Sequence, residues 1–302
     1  MGGGRQATDG DETKDLSGKQ AHGWPSNGNV MNGTPLSGRR IVVCADDFGM
    51  DASVDLAILA LAARERISAA SCMTLGPSFG TYASQLGGTG IEIGLHLDFT
   101  AFFDTPAERP SLPALIARSY AGLLDGAWID ARLSRQFDAF ERAFGRRPDY
   151  VDGHQHVHQL PHIRARLVAL LTRRYADGLP WLRSTRAAPL PGMPRPPRLK
   201  ARVIAALGAP GLARLARGHG LRTNERLLGV YGFEGGEQHY AALMRKWLRH
   251  AGDRDVLMCH PSVAPVADDP PGGQRVAEYR VLAGPAFMRW LDEEGLRVGP
   301  LA

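Results

Sequence analysis

Short β-branched apolar runs recur along this chain, each stopping at a polar turn and followed by a helix-length stretch. Few folds accommodate that order. Residues 41–45 form the first run and end in Asp46-Asp47-Phe48-Gly49. Residues 54–64 then carry apolar side chains at helical spacing, and 67–75 read as the next strand. The alternation continues with a strand over 91–97, a helix over 129–144, a strand over 150–156 and a helix over 163–175. Two further short strands are expected at 181–184 and 255–260, with helices over 240–250 and 277–294. Repeated β-then-α order requires a parallel sheet covered by helices, an α/β fold. Asp46, Asp47, His96, His154 and His260 all fall at the C-terminal ends of predicted strands. Both α/β barrels and open α/β sheets place their active sites there.

Composition narrows the class. The 302 residues are 44% hydrophobic and 22% charged, which excludes a disordered, collagenous or coiled-coil chain. That length equals about two average domains, but α/β barrels reach it as one, and no linker divides residues 39–302. One domain is expected there, with 189–197 as an excursion within it. Residues 1–38 hold nine Gly and only scattered large apolar residues, so they read as a disordered tail. Cys44, Cys72 and Cys259 lack C-x-x-C spacing and fit core thiols in a reducing compartment. The +5 charge comes from Arg rather than Lys, with only 4 Lys in the chain and no basic run interleaved with aromatics. No nucleic-acid partner is expected. No stretch has the length or apolarity of a membrane span, and no apolar core of a signal peptide is seen, so a cytoplasmic location is expected.

The polar residues suggest chemistry. Successive strand side chains face opposite sides, so Asp46 and Asp47 can serve one site only if the chain bends, and Gly49 permits a bend. The period-2 rule puts His96 and Asp98 on one face. It does the same for Asp152, His154, His156 and His158 in the run Asp-Gly-His-Gln-His-Val-His. Imidazole and carboxylate donors without thiolate suit a catalytic divalent metal, with Asp98 and Asp152 as candidates to orient the ligands. His260 leaves its strand at Pro261 and is a candidate proton donor. A solvated Asp-Asp turn and a structural histidine are the plainer readings of each piece taken alone.

ADDFG at 45–49, GLH at 94–96, DGHQHVH at 152–158, HP at 260–261 and Arg275-x-x-Glu278-x-x-x-Leu282 occur in this order. With these motifs the chain resembles the YdjC-like (ChbG-type) carbohydrate deacetylases over essentially all of 39–302. The resemblance implies an irregular (β/α) barrel, TIM-barrel-like, and often a homodimer. It implies that Asp47, His96 and His154 hold one divalent metal ion and that Asp46 is the general base. It further implies that His260 is an acid or transition-state stabiliser and that Arg275 and Glu278 support the site. The family is usually described with Mg²⁺, whereas an Asp-His-His set suits Zn²⁺ at least as well by ligand chemistry.

The activity so implied is hydrolysis of an acetylated amino sugar, on an oligosaccharide or a glycolipid. The other classes are a phosphoesterase or cyclic amidohydrolase on the same scaffold and a non-catalytic sugar- or lipid-binding protein. Residues 183–222 contain nine cationic side chains and no acidic one. That segment reads as a solvated basic face or as a contact with anionic lipid. Arg183 is a candidate to reach the active site instead.

Overall fold

The computed structural model describes residues 1–2, 38–102, 105, 109–269 and 271–301, so the expected tail lies outside the described residues apart from its ends. The chain opens with β1 (Arg39–Phe48), α1 (Ala52–Ala63), β2 (Ala69–Cys72), α2 (Phe79–Gly87) and β3 (Glu92–Leu97). Helices α3 (Leu112–Tyr120) and α4 (Gly126–Phe144) lead to β4 (Tyr150–Gly153), a tight helical turn at His154–Gln159, α5 (Ile163–Arg174) and β5 (Trp181–Leu182). The basic segment folds as α6 (Arg195–Ala206) and α7 (Ala209–Gly218) before β6 (Leu227–Leu228). Then come α8 (Gly236–His250), β7 (Asp255–Cys259), α9 (Gly272–Ala283), α10 (Pro285–Glu293) and β8 (Leu296–Val298).

All named strand pairs are parallel, in the order β5-β4-β3-β2-β1-β7-β6, with β8 beside the start of β1. Isolated parallel bridges join Leu182 to Thr223 and Ala187 to Leu227, which draws the two end strands together. Asn224 fills the gap between them: its Oδ1 accepts from Ser184 N at 2.6 Å and its Nδ2 donates to Ser184 O. The sheet therefore curls into the expected irregular barrel, held by side-chain bonds where the ladder is missing. Among the described residues, no helix is long and apolar enough to cross a membrane.

Several expected elements differ at their ends for local reasons. The helix predicted over 277–294 breaks at Gly284-Pro285, because proline cannot donate its nitrogen to the helix and Gly284 adopts extended backbone. The strand predicted over 181–184 pairs only at Trp181–Leu182. β6 and β8, of two and three residues, are too short to show a period, and the sequence reading passes over them.

Two close packings fix the sheet around the future site. Gly94 in β3 lies under the Tyr150 ring, where a Cβ would come within 2.2 Å of the ring. Tyr150 stacks on Trp181 at 4.2 Å and cannot withdraw. Gly94→Ala should therefore lower stability by about 1–3 kcal/mol through overpacking, read as a shift in the urea midpoint. In α1, buried Asp55 accepts the Gly49 N–H at 2.5 Å. Burial pushes its carboxyl up to about 6, against that hydrogen bond. The folded state thus holds this proton more tightly than the unfolded chain, and stability falls as pH rises from about 4 to about 6. Asp55→Asn should remove that part of the slope in urea titrations across the same range.

Candidate active site

Two adjacent carboxylates reach one site because β1 is bulged. Ala45 pairs with Ala70 and Phe48 with Cys72, so β1 spends one more residue than β2 between these pairs. The irregularity is carried by Asp47 itself, at φ +72°, a left-handed conformation that aspartate tolerates better than most residues. Gly49 follows at φ +95°, with the Met73 carbonyl where a Cβ would sit, 2.6 Å away. The expected bend is present, and Asp47 and Gly49 share it. Both carboxylates are buried.

Asp47 Oδ1 lies 3.3 Å from His96 Nε2 and 2.9 Å from His154 Nδ1. Two donors about 2.1 Å from one cation stand roughly 3.0–3.4 Å apart, so each imidazole nitrogen lies near the spacing of a shared ligand set with Asp47 Oδ1, and all three atoms lie within 4.8 Å of one another. They form one of two groups among the described residues whose donors converge in this way. Asp152 Oδ1 accepts from His96 Nδ1 at 2.7 Å, which turns Nε2 toward Asp47. Arg275 Nη2 donates to the other Asp47 oxygen at 2.7 Å. Burial opposes ionisation of Asp47, but Arg275 and His154 outweigh it and hold the carboxyl well below the usual range. Burial likewise opposes an imidazolium at His96, yet Asp152 and Asp47 lift the ring to about 10.

Asp46 faces a second partner. Arg183, fully buried, donates Nη1 to Asp46 Oδ2 at 2.6 Å and Nη2 to Oδ1 at 2.7 Å. The same Nη2 lies 2.6 Å from Asp152 Oδ2, which also accepts from Ser71 Oγ at 2.7 Å. Burial would raise the Asp46 carboxyl, but this guanidinium holds it well below the ordinary carboxylate range. His260 Nε2 is 3.9 Å from Asp46 Oδ2, and burial pushes its ring down to about 4 despite both carboxylates. Glu278 Oε2 accepts from the His260 backbone N at 2.7 Å, and Oε1 accepts from Tyr231 OH at 2.6 Å. One helix, α9, thus presents Arg275 to Asp47 and Glu278 to His260 from positions i and i+3.

Residues 40–293 match the family model of the YdjC-like protein. The chain belongs to the YdjC-like family. A chitooligosaccharide deacetylase of Yersinia enterocolitica is 26% identical over 271 residues, which is 86% of this chain and 96% of that relative. A second, from Yersinia pestis, is 32% identical over 144 residues, covering 44% of this chain and 55% of the relative. A structure from Enterococcus faecalis, named for cellobiose-phosphate cleavage, superposes with a TM-score of 0.63 at 17% identity. The match covers 88% of this chain and 98% of that one, and it is a likeness of fold.

The YdjC-like site departs from the sequence reading at three places. β4 stops at Gly153, and Gln155 and His156 both take positive φ, so the strand alternation assumed through 158 does not continue. His154 therefore reaches Asp47 while His158 turns away and donates Nε2 to the Arg183 carbonyl at 2.8 Å. Burial keeps His158 neutral, lowering it to about 4. Asp98 does not orient a ligand: its carboxylate accepts the backbone N–H groups of Thr100, Ala101 and Phe102 and so caps the loop after β3. Arg183, a candidate to support the site or touch substrate, is fully buried behind Asp46 and only supports. No local signal marks Ser71 or Tyr150, which complete the network beneath Asp152 and Cys44.

A cavity of about 360 Å³ opens over Asp46, His96, His154 and His260. Its far wall is apolar, made by Leu112 and Ile116 of α3 and by Ile204 and Leu207 at the end of α6. Lys200 of α6 also lines it, donating Nζ to the Tyr231 carbonyl at 2.7 Å beside the Phe233 ring. The basic segment is thus in part a wall of the site. Asp152→Asn should weaken divalent-metal affinity about 10–100-fold by freeing His96, measured by titration calorimetry against the parent chain.

Proposed function

We propose that this protein is a metal-dependent deacetylase that hydrolyses the acetamide of an N-acetylated amino sugar and releases acetate. The observation that carries this reading is that Asp47, His96 and His154 converge beside an ionised Asp46 and a neutral His260, at a cavity that His96, His154, Asp46 and His260 line. Family membership and the name of the relative aligned over 86% of the chain support carbohydrate deacetylation. Asp47 Oδ1, His96 Nε2 and His154 Nδ1 would hold the cation, with Zn²⁺ and Mg²⁺ as the two candidates and the two imidazoles favouring Zn²⁺. When bound, it supplies Lewis acidity to the acetamide carbonyl and acidifies a water molecule.

The chain's own groups then divide the proton work. Asp46 is ionised across the physiological range and accepts the proton of the attacking water. Bidentate pairing with Arg183 fixes its direction and lowers its basicity, so orientation rather than strength is its contribution. His260 enters neutral and presents an N–H to the oxygen that gains charge as the new C–O bond forms. Asp46 passes that proton to the departing nitrogen as the C–N bond breaks, and the second water proton, first held on the new carboxyl group, ends on the amine, so acetate and an ammonium leave with no net change on the protein. Glu278 holds the His260 backbone, and Phe233 packs against its ring at 4.9 Å.

The decisive assay is acetate release from N-acetylglucosamine oligomers by metal-stripped and metal-restored protein. Asp46→Asn should keep its metal and lose roughly 10²–10⁴-fold in kcat, whereas His154→Ala should lose metal and activity together. Full turnover by the Asn variant would sink the base assignment, and normal metal content in His154→Ala would sink the ligand assignment.

A further inference from the structure

Helix α6 has two unlike faces. Lys200, Ile204 and Leu207 turn toward the cavity, and Pro197 and Ala201 are buried beneath the helix. The outer face carries Leu199, 64% exposed, Val203, 52% exposed, and exposed Ala206. These recur at i, i+4 and i+7, so they share one stripe. Exposed Arg195 and Arg202 border the stripe, and α7, packed on α6, adds exposed Arg214 and Arg217. Neither helix holds an acidic residue. Among the described residues, seven large hydrophobics are exposed, and α6 contributes two of them one helical turn apart. Tyr120, a third, donates its hydroxyl to the Leu207 carbonyl at 2.7 Å, which places it beside the end of α6.

We infer that the outer face of α6 is a docking surface for an anionic lipid bilayer. An apolar stripe flanked by arginines, on two helices that hold no acidic residue, is complementary to an interface of acyl chains beneath negative headgroups. Pairing with the same face of a second copy would bring arginines against arginines, with no carboxylate on either helix to offset them. Docking here holds the wall of the cavity against the membrane and brings the site to molecules carried on that surface. The inference goes beyond the deacetylase reading and does not depend on it.

Co-sedimentation of the full chain with phosphatidylcholine vesicles, with and without about 30% phosphatidylglycerol, tests it. Binding should require the anionic lipid and fall at least about fivefold between low and high salt. Leu199→Glu/Val203→Glu should abolish it while leaving acetate release from a soluble oligomer unchanged, since neither side chain lines the cavity. No sedimentation with anionic vesicles, or equal binding by the double variant, would overturn the inference. A concentration-dependent dimer that the double variant breaks, without vesicle binding, would overturn it in favour of a second copy. Because vesicle binding needs no turnover, its failure is separable from failure of the deacetylase reading.

Discussion

The site depends on one buried guanidinium. Arg183 bonds both oxygens of Asp46 and one of Asp152, linking β1, β4 and the end of β5 at the floor of the cavity. Desolvating three charges together is costly, and the arrangement persists because every carboxylate oxygen involved has a donor. Removing one member of such a group costs about 3–5 kcal/mol, since the remaining charges stay buried without their partner. Arg183 therefore ties Asp46 to Asp152, the residue that turns His96. The placement of Asp46 and the joining of β1, β4 and the end of β5 rest on the same bonds.

A second constraint is local strain placed at strand ends. Asp47, Gln155 and His156 all take positive φ, and each lies at or within three residues of a strand's C-terminal end. Such backbone is tolerated where surrounding structure over-determines it. At Asp47 the bulge turns a strand's two-sided alternation into one-sided delivery of two carboxylates. At 155–156 the same device separates His154, which joins the donors, from His158, which braces the Arg183 backbone. The candidate site sits where regular strand structure is broken, at the ends of β1 and β4.

The α6 wall shows how one helix serves two environments. Its inner residues Ile204 and Leu207 give an apolar side to a cavity that Asp46, His96, His154 and His260 also line. Its outer residues Leu199 and Val203 are exposed among the described residues. A run of arginines without acids reads in sequence as one basic face, and folding sorts it into inward and outward sets.

The sequence by itself determined the β-then-α order, the parallel sheet and the presence of Asp46, Asp47, His96, His154 and His260 at strand ends, because hydrophobic periodicity and chain order are local properties. Arg275 and Glu278 entered only through the family resemblance, because the helix expected from the sequence began at residue 277, whereas α9 begins at Gly272 and so carries both at i and i+3. Only the tertiary structure decided that His158 and Asp98 leave the site, that Arg183 joins Asp46 to Asp152, and that α6 lines the cavity. Those outcomes turn on backbone dihedrals at strand ends and on pairs separated by up to 137 residues. No periodicity within a window reports contacts made by closing a barrel, because closure brings together side chains whose positions in sequence are unrelated.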